Sequence, residues 1–225
     1  MKHYLMVDLG TGNSRVALVD SDGGILGLRT YTNVYHRDSA YEDGQYFLPE
    51  DWAALLLQGC RELCREHPDI QVNAVSAAGA RQSFVLLDGN GRAFLGLPNI
   101  DNRGRAYMAQ VPEHDEIYRL SGKWATEDFG AAKLLGLRMQ HPEQYEAVES
   151  VLSLSEWIAW IFTGRKVMEY TQACESQLYD IGQRSWSQTL CSFYGLRPEF
   201  LPPLQAAGTA VGPILDTYRR ELGMA

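Results

Sequence analysis

The stretch from Tyr4 to Asp20 constrains this chain more than any other. Two apolar runs, Tyr4–Val7 and Val16–Val19, flank a polar turn that holds Gly10, Thr11, Gly12, Asn13 and Ser14. Asp8 closes the first run and Asp20 the second. That pattern predicts two strands and a tight turn. Backbone N–H groups freed at such a turn can cradle a phosphate, with glycine allowing close approach. Asp8, at the strand end, is placed to hold a hydrated Mg²⁺ against that phosphate. A plain hairpin turn built from turn-forming residues is the alternative.

Downstream, Ser21-Asp22-Gly23-Gly24 reads as a turn and Ile25–Tyr31 as a third strand, completing an antiparallel meander. Residues 33–48 read as a loop or short ribbon. Pro49-Glu50-Asp51 then opens a helix, with Trp52, Leu55, Leu56 and Leu63 at helical spacing and His67-Pro68 as its stop. Strands are expected at 70–78 and 84–88, the first running into Gly79-Ala80-Arg81-Gln82-Ser83. Residues 97–103 form a polar loop leading to a helix near 104–111, and residues 113–147 are mostly helical. A strand at 150–153, helices at 156–162 and 187–194, a short strand near 177–181 and a helix from Leu215 complete the chain. The order is a β-meander followed by alternating helices and strands, in one α/β domain.

At 225 residues and 45% hydrophobic, the chain has ample material for a core. A net charge of −8 argues against nucleic acid as a partner. No apolar run approaches the roughly 20 residues that span a membrane. No hydrophobic leader precedes the first strand, so a cytoplasmic protein is expected. Cys60, Cys64, Cys174 and Cys191 read as free thiols, although Cys60 and Cys64 share a helix face. The five histidines form no ligand pair, so a metal held by His or Cys is not expected.

Several of these residues, taken together and in order, resemble the N-terminal domain of the FGGY carbohydrate kinases. Asp8-x-Gly10-Thr11-x-x-Ser14-Arg15 is similar to that family's first phosphate motif, and Pro49-Glu50-Asp51-Trp52 to its helix-opening PEDW. Gly79-x-x-x-Ser83 resembles its first sugar-binding strand end. Asn99-x-Asp101-x-Arg103 resembles its W-x-D-x-R loop, with asparagine in place of tryptophan. Lys133-Leu134-Leu135, Leu154-Ser155-Glu156-Trp157, Thr163-Gly164, Tyr170-Thr171-x-Ala173 and Arg184-Ser185-Trp186-Ser187 follow at compatible spacing.

The resemblance implies a ribonuclease-H-like, actin-like ATPase fold, in which two such domains flank a cleft. The implied reaction is transfer of the ATP γ-phosphoryl group, with Mg²⁺, to a sugar or polyol hydroxyl. Asp8 would hold the metal, and Thr11, Gly12 and Asn13 the phosphates. Arg15 would lie near the transferring group or else pair with Asp20 or another acid. Arg81 and Gln82 would meet substrate hydroxyls, for which a guanidinium fork and an amide are suited. Asp101 and Arg103 either meet substrate or brace their loop as an ion pair, and Glu156 either meets substrate or caps its helix. The Arg81-Gln82 pair matches neither the Arg-Glu of glycerol kinases nor the Met-His of xylulose kinases. Gly130 and Gly136 stand where the family usually has proline and tryptophan, a change expected to reshape the pocket wall.

The family's general base is an aspartate in a Gly-Asp turn, on a strand after the segment resembling Tyr218–Gly223. Residues 1–225 are therefore expected to be an N-terminal sugar-binding domain without its last strand or its C-terminal nucleotide domain. The catalytic aspartate would lie beyond Ala225, and the chain alone would be inactive. A non-catalytic sugar-binding or regulatory module on the same fold is the alternative. An actin-like ATPase of another kind, such as a chaperone, fits the PEDW and Arg-x-Trp-Ser segments poorly.

Overall fold

Alternate side chains of the opening hairpin point inward, as a period of two requires: Leu5, Val7, Leu9, Val16 and Leu18 are buried. The computed structural model of the protein describes residues 1–224. In it β1 (His3–Leu9) and β2 (Asn13–Asp20) pair antiparallel, and β3 (Ile25–Thr32) adds to β2. The segment read as a loop or ribbon is a ribbon of β4 (His36–Asp38) and β5 (Gly44–Tyr46).

Helix α1 (Pro49–Glu66) begins with proline and two acids, which suit its amide-rich end. It buries Trp52, Leu56, Cys60 and Leu63 in the same core as the inward face of the hairpin. β6 (Val72–Gly79) then returns parallel to β1, giving the sheet order β3-β2-β1-β6. This meander followed by a helical crossover is the start of the actin-like plan.

A second sheet, β8 (Ala93–Leu97), β7 (Phe84–Leu87) and β9 (Ser150–Ser153), joins the two halves of the molecule. Every residue of β7 and β9 is buried. Val85, Leu87 and Leu152 enter the first core, while Phe84, Leu86 and Val151 enter a second. That second core is closed by helices α2 (His114–Ser121), α3 (Gly130–Gln140) and α4 (Pro142–Glu146), together with later segments. The helix expected near 104–111 is a 3₁₀ turn, Arg105–Gln110. Helix α5 (Leu154–Thr163) packs beside β6, and its Trp157 and Ile158 complete the first core. The remainder comprises short strands, helices α6 (Tyr170–Ser176), α7 (Gln188–Tyr194) and α8 (Asp216–Glu221), and proline-rich connections.

Two glycines fix how α3 meets the loop after β8. A Cβ on Gly136 would stand 2.5 Å from the Arg103 carbonyl oxygen, and one on Gly104 would stand 2.1 Å from that of Ala132. The helix therefore crosses the loop backbone to backbone, which brings Lys133 beneath residues 99–101. Gly130 likewise leaves room for the Phe84 ring. These glycines serve packing behind the loop.

The outer edge of β6 pairs with no strand among the described residues. A groove of about 850 Å³ runs along it, lined by Ala77, Ile158, Ala159 and Phe162 and by the 205–214 segment. Among the described residues no helix is long and apolar enough to cross a membrane.

Candidate functional site

The carboxyl ends of β1 and β6 lie side by side, Ala80 N–H donating to the Leu9 carbonyl at 2.7 Å. Here the turn between β1 and β2 is held from behind. Asn33 Nδ2 donates to the carbonyls of Gly10 (2.7 Å) and Thr11 (3.2 Å), Asn33 N–H to that of Gly12 (3.1 Å), and Tyr35 Oη to that of Thr11 (2.5 Å). Ser14 Oγ donates to Asn33 Oδ1 at 2.7 Å and fixes the amide's orientation. With its carbonyls drawn toward residues 33–35, the turn leaves the amides of Thr11 and Gly12 without an acceptor among the described residues. A Cβ on Gly12 would meet nothing within 4 Å, so that side of the turn is open. Free amides on an open side are what an anion requires.

Arg15 and Asp8 are cross-strand partners, Nη1 to Oδ2 at 3.0 Å. Asp20 instead caps its own turn, accepting from the N–H groups of Asp22 and Gly24. Asn13 opens β2, its carbonyl accepting from Gly10 N–H at 3.0 Å.

Arg81 and Gln82 follow β6 on the same edge. Arg81 is exposed, and Gln82 has φ of 60°, a left-handed conformation that a side chain adopts at a cost. Ser83 turns inward, its Oγ accepting from Asn99 N–H at 2.9 Å. Asn99 Nδ2 donates to Thr11 Oγ1, also at 2.9 Å, linking this strand end to the turn.

Asp101 lies behind these groups and is fully enclosed. Its Oδ1 accepts from Gln45 N–H at 2.9 Å and its Oδ2 from Arg103 Nε at 2.7 Å. Arg103, also buried, donates to the Gln45 carbonyl and lies over the Tyr41 ring. The pair ties the loop to the Gln45 backbone, and neither side chain is exposed. Lys133 Nζ donates to the carbonyls of Asp101 and Asn99. Burial lowers this lysine to about 8, against the opposing pull of Asp101. Burial also pushes the Asp101 carboxyl up, with Arg103 and Lys133 holding it down.

Glu156 lies in the first turn of α5, whose Leu154 and Ser155 pack against Gly79. Its carboxylate accepts from Ser153 Oγ and Ser155 Oγ and lines the groove along β6. Burial raises its pKa, with the two serines opposing. The structure thus gathers Asp8, Thr11, Gly12, Asn13, Arg15, Arg81 and Gln82 at one edge, puts Asp101 behind them and sets Glu156 in the adjoining groove. Asn33 and Tyr35 were not legible as parts of the site, being single polar residues in a stretch without periodicity, whereas Ser83 belongs to the strand-end motif Gly79-x-x-x-Ser83.

Among the described residues no group of three or more His, Cys, Asp or Glu side chains stands ready for a metal ion, and all four cysteines are free. One carboxylate, Asp8, flanks the turn. That fits Mg²⁺ arriving with phosphates, since this ion keeps water and phosphate ligands and asks one or two carboxylates of the protein.

Residues 3–225 match the N-terminal domain of the FGGY family of carbohydrate kinases. The chain belongs to that family. A putative sugar kinase of Bacillus subtilis is 40% identical over 225 residues, covering all of this chain and 46% of the relative. An autoinducer-2 kinase of Salmonella typhimurium is 28% identical over 223 residues, covering 94% of this chain and 42% of that enzyme. The chain therefore spans under half the length of these FGGY relatives. Solved structures agree on the fold: a xylulose kinase from Brucella ovis (TM-score 0.91, 20% identity, 99% of this chain and 46% of that one) and the glycerol kinase of Plasmodium falciparum with ADP (TM-score 0.87, 15% identity, 99% and 46%). FGGY kinases carry the actin-like ATPase fold, and the mixed sheet here is its N-terminal part.

Proposed function

We propose that this chain is the acceptor- and phosphate-binding half of a sugar or polyol kinase that transfers the γ-phosphoryl group of ATP. The observation that carries the reading is the turn at Gly10–Asn13, in which the carbonyls of Gly10, Thr11 and Gly12 are tied back and the amides of Thr11 and Gly12 are open, set beside Arg81 and Gln82. Family membership supports the chemistry.

In this reading the acceptor hydroxyl oxygen bonds to the γ-phosphorus as the bond from phosphorus to the β–γ bridging oxygen breaks. The hydroxyl proton passes to an aspartate beyond Ala225. Asp8 would hold Mg²⁺ arriving with the nucleotide, and that ion would supply positive charge against the phosphates. The chain's own part is to position and to stabilise charge, which dominates catalysis of phosphoryl transfer. Thr11, Gly12 and Asn13 present donors to the phosphate oxygens. Arg15 leaves Asp8 to meet charge on the transferring group. Arg81 and Gln82 hydrogen-bond acceptor hydroxyls. Asp101 acts at a distance, holding the loop that carries Asn99, and Glu156 lines the groove next to the acceptor side.

The groove along β6 supports a further part of the reading: an additional strand of a longer protein pairs there and leads to a second, nucleotide-binding domain. Without that part the chain lacks its base and half its cleft and transfers phosphate at no useful rate.

A coupled ADP-release assay tests both statements. The chain alone should release no acceptor-dependent ADP, and the complete product of its reading frame should. Turnover by the chain alone contradicts the division of labour. A complete product that binds sugars but releases no ADP identifies a sugar-binding module instead.

A further inference from the structure

Asn99 is tied to three separate parts of the fold. Its backbone N–H donates to Ser83 Oγ at 2.9 Å, its carbonyl accepts from Lys133 Nζ at 3.5 Å, and its Nδ2 donates to Thr11 Oγ1 at 2.9 Å. These anchors are the strand end that carries Arg81 and Gln82, the helix α3, and the turn.

The other end of the amide is idle. Asn99 Oδ1 is shielded from water and accepts from nothing among the described residues. A shielded carbonyl without a donor disfavours the conformer that holds it. The amide is therefore held in place by the bond its nitrogen makes. That bond has a directional consequence. A hydroxyl oxygen that already accepts from an N–H still has its own hydrogen to give. Asn99 approaches Thr11 as a donor, so the Thr11 proton must point elsewhere, and the open side of the turn is where the amides of Thr11 and Gly12 are unpaired.

We propose that Asn99 is a positioning residue: it holds the Thr11 hydroxyl as a donor toward the transferred phosphoryl group and locks the acceptor strand end to the phosphate turn. This rests on the kinase reading above. The Thr11 proton meets the γ-phosphoryl oxygens, which gather charge during transfer. The backbone of Asn99, held by Lys133 and Ser83, keeps the register between the phosphate and acceptor sides.

The test is a double-mutant cycle on the complete gene product, with kcat and KM measured for ATP and for the best acceptor. Asn99→Asp replaces the donor with an acceptor, so Thr11 turns its proton toward residue 99. The expected result is a kcat lower by roughly 100-fold, the scale of one lost transition-state donor, with the acceptor KM little changed. Thr11→Val should cost a similar factor in the native background and almost nothing more in Asn99→Asp, because the hydroxyl is already misdirected. Thr11→Ser, which keeps the hydroxyl, should retain activity. Should Asn99→Asp not fold, Asn99→Ala takes its place, with a smaller loss and the same non-additivity. Equal cost of Thr11→Val in both backgrounds, or native kcat in the folded Asn99 variant, overturns the proposal. A native complete product with no acceptor-dependent turnover overturns the kinase reading itself and this inference with it.

Discussion

Arg15 and Asp8 face one another across β1 and β2 at 3.0 Å, with side chains 45% and 53% exposed. A pair so wet contributes about 0–1 kcal/mol to folding. It sits beside open amides at the edge of the sheet, where charge serves a ligand better than it serves stability. Arg15→Ala should leave the melting temperature of the chain within about 3 °C of native, given the scale of 2–4 °C per kcal/mol at this size. The same change should lower acceptor-dependent turnover of the complete product by roughly 100-fold. A large drop in melting temperature with little loss of turnover would reverse the assignment.

Asn33 makes the opposite prediction. Its side chain joins the Gly10 and Thr11 carbonyls to Ser14, and nothing of it reaches the open side of the turn. Asn33→Leu, similar in volume, leaves polar groups unpaired and should cost about 1–3 kcal/mol. Thermal unfolding reads the loss, and amide exchange at Gly10, whose N–H donates to the Asn13 carbonyl, should accelerate as the turn loosens. Unchanged exchange would show that Asn33 does not hold the turn.

Gly12 and Gly136 separate ligand space from packing space. Gly12→Ala adds a methyl where nothing stands within 4 Å, so folding should be unaffected while the phosphate is kept at a distance. Gly136→Ala puts a methyl 2.5 Å from the Arg103 carbonyl oxygen and should destabilise by about 1–3 kcal/mol. Chemical denaturation of both variants decides the contrast; equal stabilities would refute it.

Lys133 gives the fold a pH signature. Below about pH 8 the lysine is protonated in folded and unfolded chains alike, and its buried charge weighs on the folded state. Between about 8 and its ordinary value of 10.5, the unfolded chain holds a proton that the folded chain has released. Stability attributable to Lys133 therefore rises with pH through that window. The difference in unfolding free energy between the native chain and Lys133→Met should climb by up to about 1.4 kcal/mol per pH unit. Titrations common to both proteins cancel, and a flat difference from pH 7 to 10.5 would contradict the account.

What the sequence disclosed depended on locality. The hairpin, α1 and the return strand β6 could be read from period and caps because each is decided within its own stretch. The double-sided burial of β7 and β9 could not, since four-residue apolar runs look alike whether one face or both are covered. Within the site, Thr11 and Asp8 were readable from the turn, whereas Asn33 and Tyr35 act from more than 20 residues away. Nor did the sequence show that Gln45 and Arg103 occupy both oxygens of a fully buried Asp101, because Gln45 lies 56 positions away. Position along the chain likewise gave no hint that Glu156 lines the groove along β6.

The central claim is that this chain carries the acceptor site, with Arg81 in it. The most direct measurement is the thermal stability of the chain against a panel of pentuloses, polyols and autoinducer-2-like diols, for native protein and Arg81→Ala. Binding to the folded state alone raises stability by RT ln(1 + [L]/Kd), about 2.7 kcal/mol at a hundredfold excess over Kd. The account predicts that at least one such compound raises the melting temperature of the native chain and that Arg81→Ala abolishes the shift. Stabilisation undiminished in Arg81→Ala, or none across the panel, would contradict it.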